Sequence, residues 1–312
     1  MYSLTAPLSL PAGIPLSKER AINPSYESIE RPLELVFSRF KNRGIPPQFA
    51  GIHSSDPRSL ERGMPAGKLR GAVREYIQIL ALKAFYAAPR AEGLAFLGGT
   101  ALRFGYDLPR FSEDLDFDVR DFSFREWKAL LEETAQTLSR QGLSLEMRAS
   151  EKGSLLSGDM RLQGALKAYR ISENKNEKLK IKLEANRPRY PVAIDPRVIS
   201  GYGEMFPAPF AASNLIMAEK ILALLNRELG RDVYDLFFMA GKKWRPDARI
   251  LSANGVTGDT HDTITSRLKF FGSSKLSVMA KRLEPFLFKP EQAGLVAKAQ
   301  TLLPDALGYL KA

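Results

Sequence analysis

From about Leu69 the chain alternates apolar and polar residues with a helical period: Val73, Ile77, Leu80 and Ala84 share one face, and Pro89 closes the run. A short apolar stretch, Leu94–Leu97, reads as a strand running straight into Gly98-Gly99-Thr100, and a helical turn or two carries Ala101 to Tyr106. At Leu115–Val119 the period drops to two. Asp114, Asp116 and Asp118 fall on one face of that strand, and Leu115, Phe117 and Val119 on the other. Phe124–Arg140 is amphipathic at helical spacing, with Trp127, Leu130, Leu131 and Leu138 on its apolar side. Strands are expected at Leu143–Arg148, Ala165–Ile171 and Lys178–Ala185. A Pro-rich connection over 188–209 and helices from 213 to the end follow.

Strands and helices do not alternate regularly, which argues against a doubly wound parallel sheet. The expected fold class is α+β: a small mixed sheet with helices, then a C-terminal helical bundle. The expected units are an N-terminal extension over 1–66, an α/β core over 67–210 and a helical region over 211–312. The extension is rich in Pro, Gly and Ser, with one short amphipathic candidate at Pro32–Lys41.

Composition narrows the chemistry. The 312 residues suffice for a sizeable core, and 44% hydrophobic with 26% charged residues is ordinary for a globular protein. There is no cysteine and there are two histidines, His53 and His261, so thiol catalysis, Cys-based zinc sites and His-rich metal sites are excluded. Carboxylates, lysines, hydroxyls and backbone must supply the chemistry. The formal net charge of +11 favours an anionic partner, nucleic acid first. No apolar run approaches the roughly 18–20 residues that span a bilayer, and no basic segment precedes the short apolar start. No membrane association and a cytoplasmic location are therefore expected.

Two adjacent features carry the chemistry. In Gly98-Gly99-Thr100 a strand turns into a helix; glycines let backbone N–H groups approach a ligand, and a helix N-terminus favours an anion such as phosphate. The Thr100 hydroxyl could donate to the same phosphate. In Asp114-Leu115-Asp116, two carboxylates on one strand face are hard oxygen ligands suited to Mg²⁺, and can share a pair of such ions in a two-metal site for phosphoryl transfer. Either feature alone is common in turns and exposed strands. Their order and spacing, a phosphate cradle and then metal ligands, make the combination specific.

The run GGTALRFGYDLPRFSEDLDF resembles the signature of the AbiEii/AbiGii nucleotidyltransferase toxins, a branch of the DNA polymerase β-like superfamily. The resemblance extends from about Leu69 to Lys243. It implies a polymerase β-like nucleotidyltransferase core, with Gly98, Gly99 and Thr100 holding a nucleoside triphosphate and Asp114 and Asp116 holding metal. Arg110 and Ser112 also match. Arg110 either pairs with a phosphate or orients Asp114, and Ser112 is read as structural. Glu184, in KLKIKLEANR, stands where relatives place a third acidic residue, commonly aspartate. It either assists the attacking hydroxyl or pairs with Lys180, Lys182 or Arg187 at the surface. Further on, the resemblance implies that Lys220 contacts the triphosphate. Asp232 or Asp235, in Arg-Asp-x-x-Asp, would orient Lys220 or the acceptor. The bland alternative is a helix pair stapled by Arg231/Asp235 and Arg227/Asp232.

The resemblance further implies an RNA acceptor, with the 3′ end of tRNA first, and a cognate antitoxin protein as partner. Lys242, Lys243, Arg245, Arg267, Lys269, Lys275, Lys281 and Arg282 offer a track for the acceptor's phosphates. The rival readings are transfer to a protein or small molecule, a non-catalytic nucleic-acid-binding protein, and a metal-dependent nuclease.

Overall fold

The computed structural model describes residues 66–169, 171–174 and 176–311; the candidate amphipathic segment Pro32–Lys41 lies outside them. Helix α1 (Ala66–Tyr86) is the long amphipathic helix of the sequence pattern. Val73, Ile77, Leu80 and Ala84 are all buried on it, joined by Tyr76 and Phe85. Burying each large apolar side chain fully contributes about 1.5–3 kcal/mol. Phe85 stacks on Phe117 at 4.7 Å between ring centroids, so α1 lies against the sheet.

Seven strands form one mixed sheet: β1 (Ala95–Leu97), β2 (Leu115–Asp118), β3 (Leu145–Lys152), β4 (Leu155–Leu162), β5 (Leu179–Asn186), β6 (Ile194–Gly201) and β7 (Glu204–Ala211). Their order is β3-β4-β5-β2-β1-β7-β6. β2 runs parallel to β5 and β1 parallel to β7; the other neighbours are antiparallel. β1 leads directly into α2 (Gly98–Tyr106), and α3 (Phe124–Arg140) follows β2, opening on a capping box between Ser123 and Glu126. The chain from Ser213 onward is helical: α5 (Ser213–Asn226), α6 (Gly230–Gly241), α7 (Ala248–Ala253), α8 (Thr260–Leu283), α9 (Ala293–Ala297) and α10 (Ala299–Ala306), with one short helix, α4 (Ala165–Ala168), before β5. The α+β class and the mixed sheet agree with the sequence pattern.

One expected strand is absent and three unexpected ones, β4, β6 and β7, are present, each for a physical reason. Ala165–Ile171 is not a strand: Gly164, at φ 76°, turns the chain into the single helical turn α4. β4 was hidden by Gly158, which interrupts its alternation. A Cβ there would lie 2.7 Å from Leu131 Cδ1, so α3 fills the missing side chain's space. The Pro-rich stretch 188–209 contains most of the β6–β7 hairpin. Prolines rarely enter sheets because they cannot donate to a ladder. Here Pro196 faces Pro209 directly across the pair, and β6 is an edge strand, with one side that no neighbouring strand needs. The sheet is accordingly larger than the small one expected.

The strand registers divide the sheet into two faces. The back face, with Phe96, Phe117, Leu183, Met160 and Phe210, packs under helices. The front face carries Asp116 opposite Glu184, then Ser157 and Ser150. No helix among the described residues is long and apolar enough to cross a membrane.

Candidate nucleotidyl-transfer site

The Gly98 turn and the aspartates share one place. Gly98 adopts φ +78°, and a Cβ built on it would stand 2.3 Å from Asp116 Oδ2. Only glycine permits this approach, for reasons of both backbone conformation and space. Helix α2 therefore begins against the Asp116 carboxylate. Its N-cap, Leu97, supplies no side-chain acceptor, so the first backbone N–H groups of the helix keep their capacity to hold an anion.

The segment between the two motifs is pinned from several sides. Thr100 Oγ1 donates to the Asp114 carbonyl at 2.5 Å, and Gln78 Nε2 donates to the carbonyls of Ser112 and Glu113 at 3.2 and 2.9 Å. Beneath Gly99 lie Arg110 Nη2 and Ser112 Oγ, each 2.6 Å from where a Cβ would be. Two expectations are corrected here. Thr100 is fully buried and its hydroxyl is engaged by Asp114, so only its backbone N–H is offered to a phosphate. Arg110 is 1% exposed and donates twice to Asp235, Nε to Oδ1 and Nη2 to Oδ2, both at 2.7 Å. It bridges the motif and α6.

Asp116 and Glu184 project from adjacent strands on the front face, and Asp114, just ahead of β2, lies within electrostatic reach of both. Burial, reinforced by the neighbouring Asp114 and Glu184 and only partly offset by Lys220 and Arg231, pushes the Asp116 carboxyl up to about 6. Asp114 is raised as well, by burial first and against the pull of Arg231. Burial and neighbouring carboxylates thus disfavour the charged form of Asp116, and a divalent cation beside it would favour that form. Glu184 meets Lys182 at 2.7 Å and Ser157 Oγ at 3.5 Å, so the surface ion pair foreseen for it exists, and it also lies level with Asp116.

Lys220, on α5, is 6% exposed and sits between two fully buried aspartates of α6, at 2.7 Å from Asp235 Oδ2 and 3.3 Å from Asp232 Oδ1. Arg227 caps the group, donating to both oxygens of Asp232 at 2.7 and 2.9 Å. Burial alone would raise Asp235, but Arg110 and Lys220 outweigh it and hold its carboxyl below the ordinary range. Lys220 and Arg227 do the same for Asp232. Both aspartates therefore orient Lys220. Of the two staples foreseen, Arg227–Asp232 forms, whereas Asp235 takes Arg110 and Lys220 instead of Arg231.

That leaves Arg231, which sequence reasoning did not single out as a site residue. Partly exposed, it makes no ion pair among the described residues, and it is the strongest cationic influence on Asp114 and also acts on Asp116. Its place at the start of α6, beside Asp232, was the available signal. Asp118, next on the acidic face, is buried with Glu219 and Tyr190, and burial with Glu219 pushes its carboxyl up to about 7. Elsewhere, Asp259, His261 and Asp262 bring ligand atoms within 4.8 Å of one another. That group is a helix cap: Asp259 accepts from the Asp262 N–H, and His261 Nε2 lies 3.1 Å from the Pro304 carbonyl.

The proposed C-terminal cation track is largely engaged locally. Lys243 and Arg245 lie over the Tyr309 ring and Arg267 over Phe271; Lys242 lies over Phe238, and Lys275 pairs with Glu228.

Comparison with known proteins bears on this geometry. No curated protein matches. Three solved structures are distantly alike. One is a Helicobacter pylori chain assigned as a nucleotidyltransferase, at 21% identity over 74% of this chain and 95% of that one, TM-score 0.49. JHP933 from Helicobacter pylori is 21% identical over 73% and 91%, TM-score 0.44. The nucleotidyltransferase toxin MenT4 from Mycobacterium tuberculosis is 17% identical over 86% and 100%, TM-score 0.47. Membership rests instead on the family described as nucleotidyl transferase AbiEii toxin, type IV toxin–antitoxin system, which matches residues 80–298 and so takes in every site residue above. The chain belongs to this AbiEii family, and it is a nucleotidyltransferase of the toxin–antitoxin type.

Proposed function

We propose that the chain transfers a nucleoside monophosphate from a triphosphate to the 3′ end of an RNA, with tRNA as the foremost acceptor, in a reaction that depends on Mg²⁺. The observation that supports this is the abutment of Gly98 and Asp116, which brings the start of helix α2 against the acidic cluster. The donor set fits the metal, because Asp114, Asp116 and Glu184 offer hard oxygens and Asp116 lacks full cationic compensation. When bound, Mg²⁺ would be held by Asp114 and Asp116 and would neutralise charge on the phosphates.

The chain's own groups divide the remaining work. The backbone N–H groups of Gly98, Gly99 and Thr100 hold triphosphate oxygens, and Lys220 and Arg231 face the charge that grows on departing pyrophosphate. Asp232 and Asp235 position Lys220, and Arg110 ties Asp235 to the motif that carries Asp114. The acceptor hydroxyl bonds to the α-phosphorus as the bond to pyrophosphate breaks, and Glu184 takes the hydroxyl proton, leaving Lys182 to do so. The net charge of +11 supports a polyanionic acceptor. As a toxin of a type IV system the protein works against a cognate antitoxin. The reading also places it in the cytoplasm, where both substrates are found.

Incubating the chain with Mg²⁺, each α-labelled triphosphate in turn and total cellular RNA tests the reading. One RNA band should gain label. Label on protein or small molecules, with none on RNA, would overturn the acceptor assignment.

A further inference from the structure

The front face of the sheet does not end at the carboxylates. Following the registers from Asp116 to Glu184, Ser157 and Ser150 leads across β5 and β4 to β3, three inter-strand spacings or about 14 Å away. The back of this wing is buried under α3; its front residues Arg148, Ser150, Lys152, Lys180 and Lys182 are exposed, and no helix among the described residues covers them.

The charges on the wing are not balanced. Each front carboxylate is neutralised by a neighbour: Glu146 by Lys178 at 2.6 Å, Asp159 by Arg161 at 2.9 Å and Glu184 by Lys182 at 2.7 Å. Arg148, Lys152 and Lys180 make no ion pair among the described residues, so three cations are left over. They flank two serine hydroxyls in line with the carboxylates.

We infer that this wing is the path of the acceptor's sugar–phosphate backbone. The single strand leading to the reacting 3′ hydroxyl lies across β5, β4 and β3. Arg148, Lys152 and Lys180 meet its phosphates, Ser150 and Ser157 reach its hydroxyls or phosphate oxygens, and the terminal hydroxyl falls beside Glu184. Such contacts carry no base readout and would fix direction and register of the strand. The inference deepens the proposed function and rests on its RNA acceptor.

The test compares two charge-matched triple variants: Arg148→Ala/Lys152→Ala/Lys180→Ala on the wing, and Lys269→Ala/Lys281→Ala/Arg282→Ala on α8. The probe is a single-stranded RNA oligonucleotide, titrated at several salt concentrations. Nucleotide affinity with Mg²⁺ and circular dichroism serve as readouts of the intact site and fold. The wing variant should bind RNA roughly tenfold or more weakly than the parent, with its salt slope reduced by about 2, near 0.7 per lost phosphate contact. The α8 variant should lose much less, and both should bind nucleotide as the parent does. Equal losses in the two variants, or unchanged RNA affinity in the wing variant while the parent labels RNA, would overturn the path but leave the acceptor assignment standing. A parent that neither binds nor labels RNA would overturn both.

Discussion

The two wings of the sheet face the same way and differ in almost every respect. On the β3–β4–β5 side, the front face is charged, and it continues the row of Asp116 and Glu184. On the β7–β6 side, the front positions are Ile194, Pro196, Val198, Ser200, Met205, Pro207 and Pro209, without a single charge. Three of these are large apolar groups left in the open: Val198 is 56% exposed, Met205 72% and Ile194 43%. The back of the β3–β4–β5 wing is largely apolar, whereas the back of the β7–β6 wing mixes Ile199, Ala208 and Phe210 with Asp195, Arg197 and Glu204. The comparison teaches that the front face is specialised around its centre. Charge lies on the side that continues the Asp116–Glu184 row and is absent from the other, whose front is lined by apolar and proline side chains.

The centre can be broken most severely. Asp116→Ala removes a carboxylate that the site is built around, and nucleotidyl transfer should fall by about a thousandfold or more with the fold retained, as read from kcat/KM and circular dichroism. Undiminished transfer would show that Asp116 holds nothing the reaction needs. Gly98→Ala comes next. Its Cβ would sit 2.3 Å from Asp116 Oδ2 at a φ of +78°, so transfer should fall by about a hundredfold and stability by about 1–2 kcal/mol. A fully active Gly98→Ala chain would mean that the turn and the carboxylate are not in contact during the reaction.

Asp235→Asn tests the buried link between the centre and the helices. It leaves Arg110 without its paired carboxylate, and the thermal and denaturant transitions should report a loss of about 3–5 kcal/mol. The pH dependence has a definite sign. Because Arg110 and Lys220 hold Asp235 below its ordinary value of 3.8, its contribution is fully present above that pH and is lost as the pH falls further, through its folded value. The parent should therefore lose more stability than Asp235→Asn when the pH is taken from 5 to below about 3. Parallel losses in the two chains would contradict the depressed value. The smallest effect is expected on the uncharged wing. Val198→Lys/Met205→Lys adds two cations to exposed positions, and stability should stay within about 0.5 kcal/mol and transfer within about twofold.

How much of this was legible in the residues depended on whether side chain or neighbour decided the outcome. Val73, Ile77, Leu80 and Ala84 announced α1 because burial set their spacing, and the Asp114/Asp116 alternation announced β2. The closeness of Gly98 and Asp116 was inferable, since a strand–turn–helix followed by an acidic strand leaves few other arrangements. What stayed hidden was fixed by partners distant along the chain. Leu131 replaces the side chain that Gly158 lacks, so β4 gave no clean pattern. Prolines paired across β6 and β7 contradicted the usual preference, in a hairpin whose outer strand is the sheet's edge. Arg110 lies 125 residues from Asp235, and nothing in its neighbourhood distinguished a buried bridge from a phosphate ligand. Arg231 was visible only as part of Arg-Asp-x-x-Asp, and its freedom follows from Asp235 being taken by others.

If the proposed function holds, the Gly98 turn and the Asp116 carboxylate, which lie against one another, receive the phosphates and the metal together. A crystal structure of the chain soaked with Mg²⁺ and a non-hydrolysable triphosphate examines it most directly. The account predicts phosphate oxygens against the N–H groups of Gly98 to Thr100 and Mg²⁺ bound by Asp114 and Asp116. A triphosphate seated on other residues, with those carboxylates unbound, would contradict it.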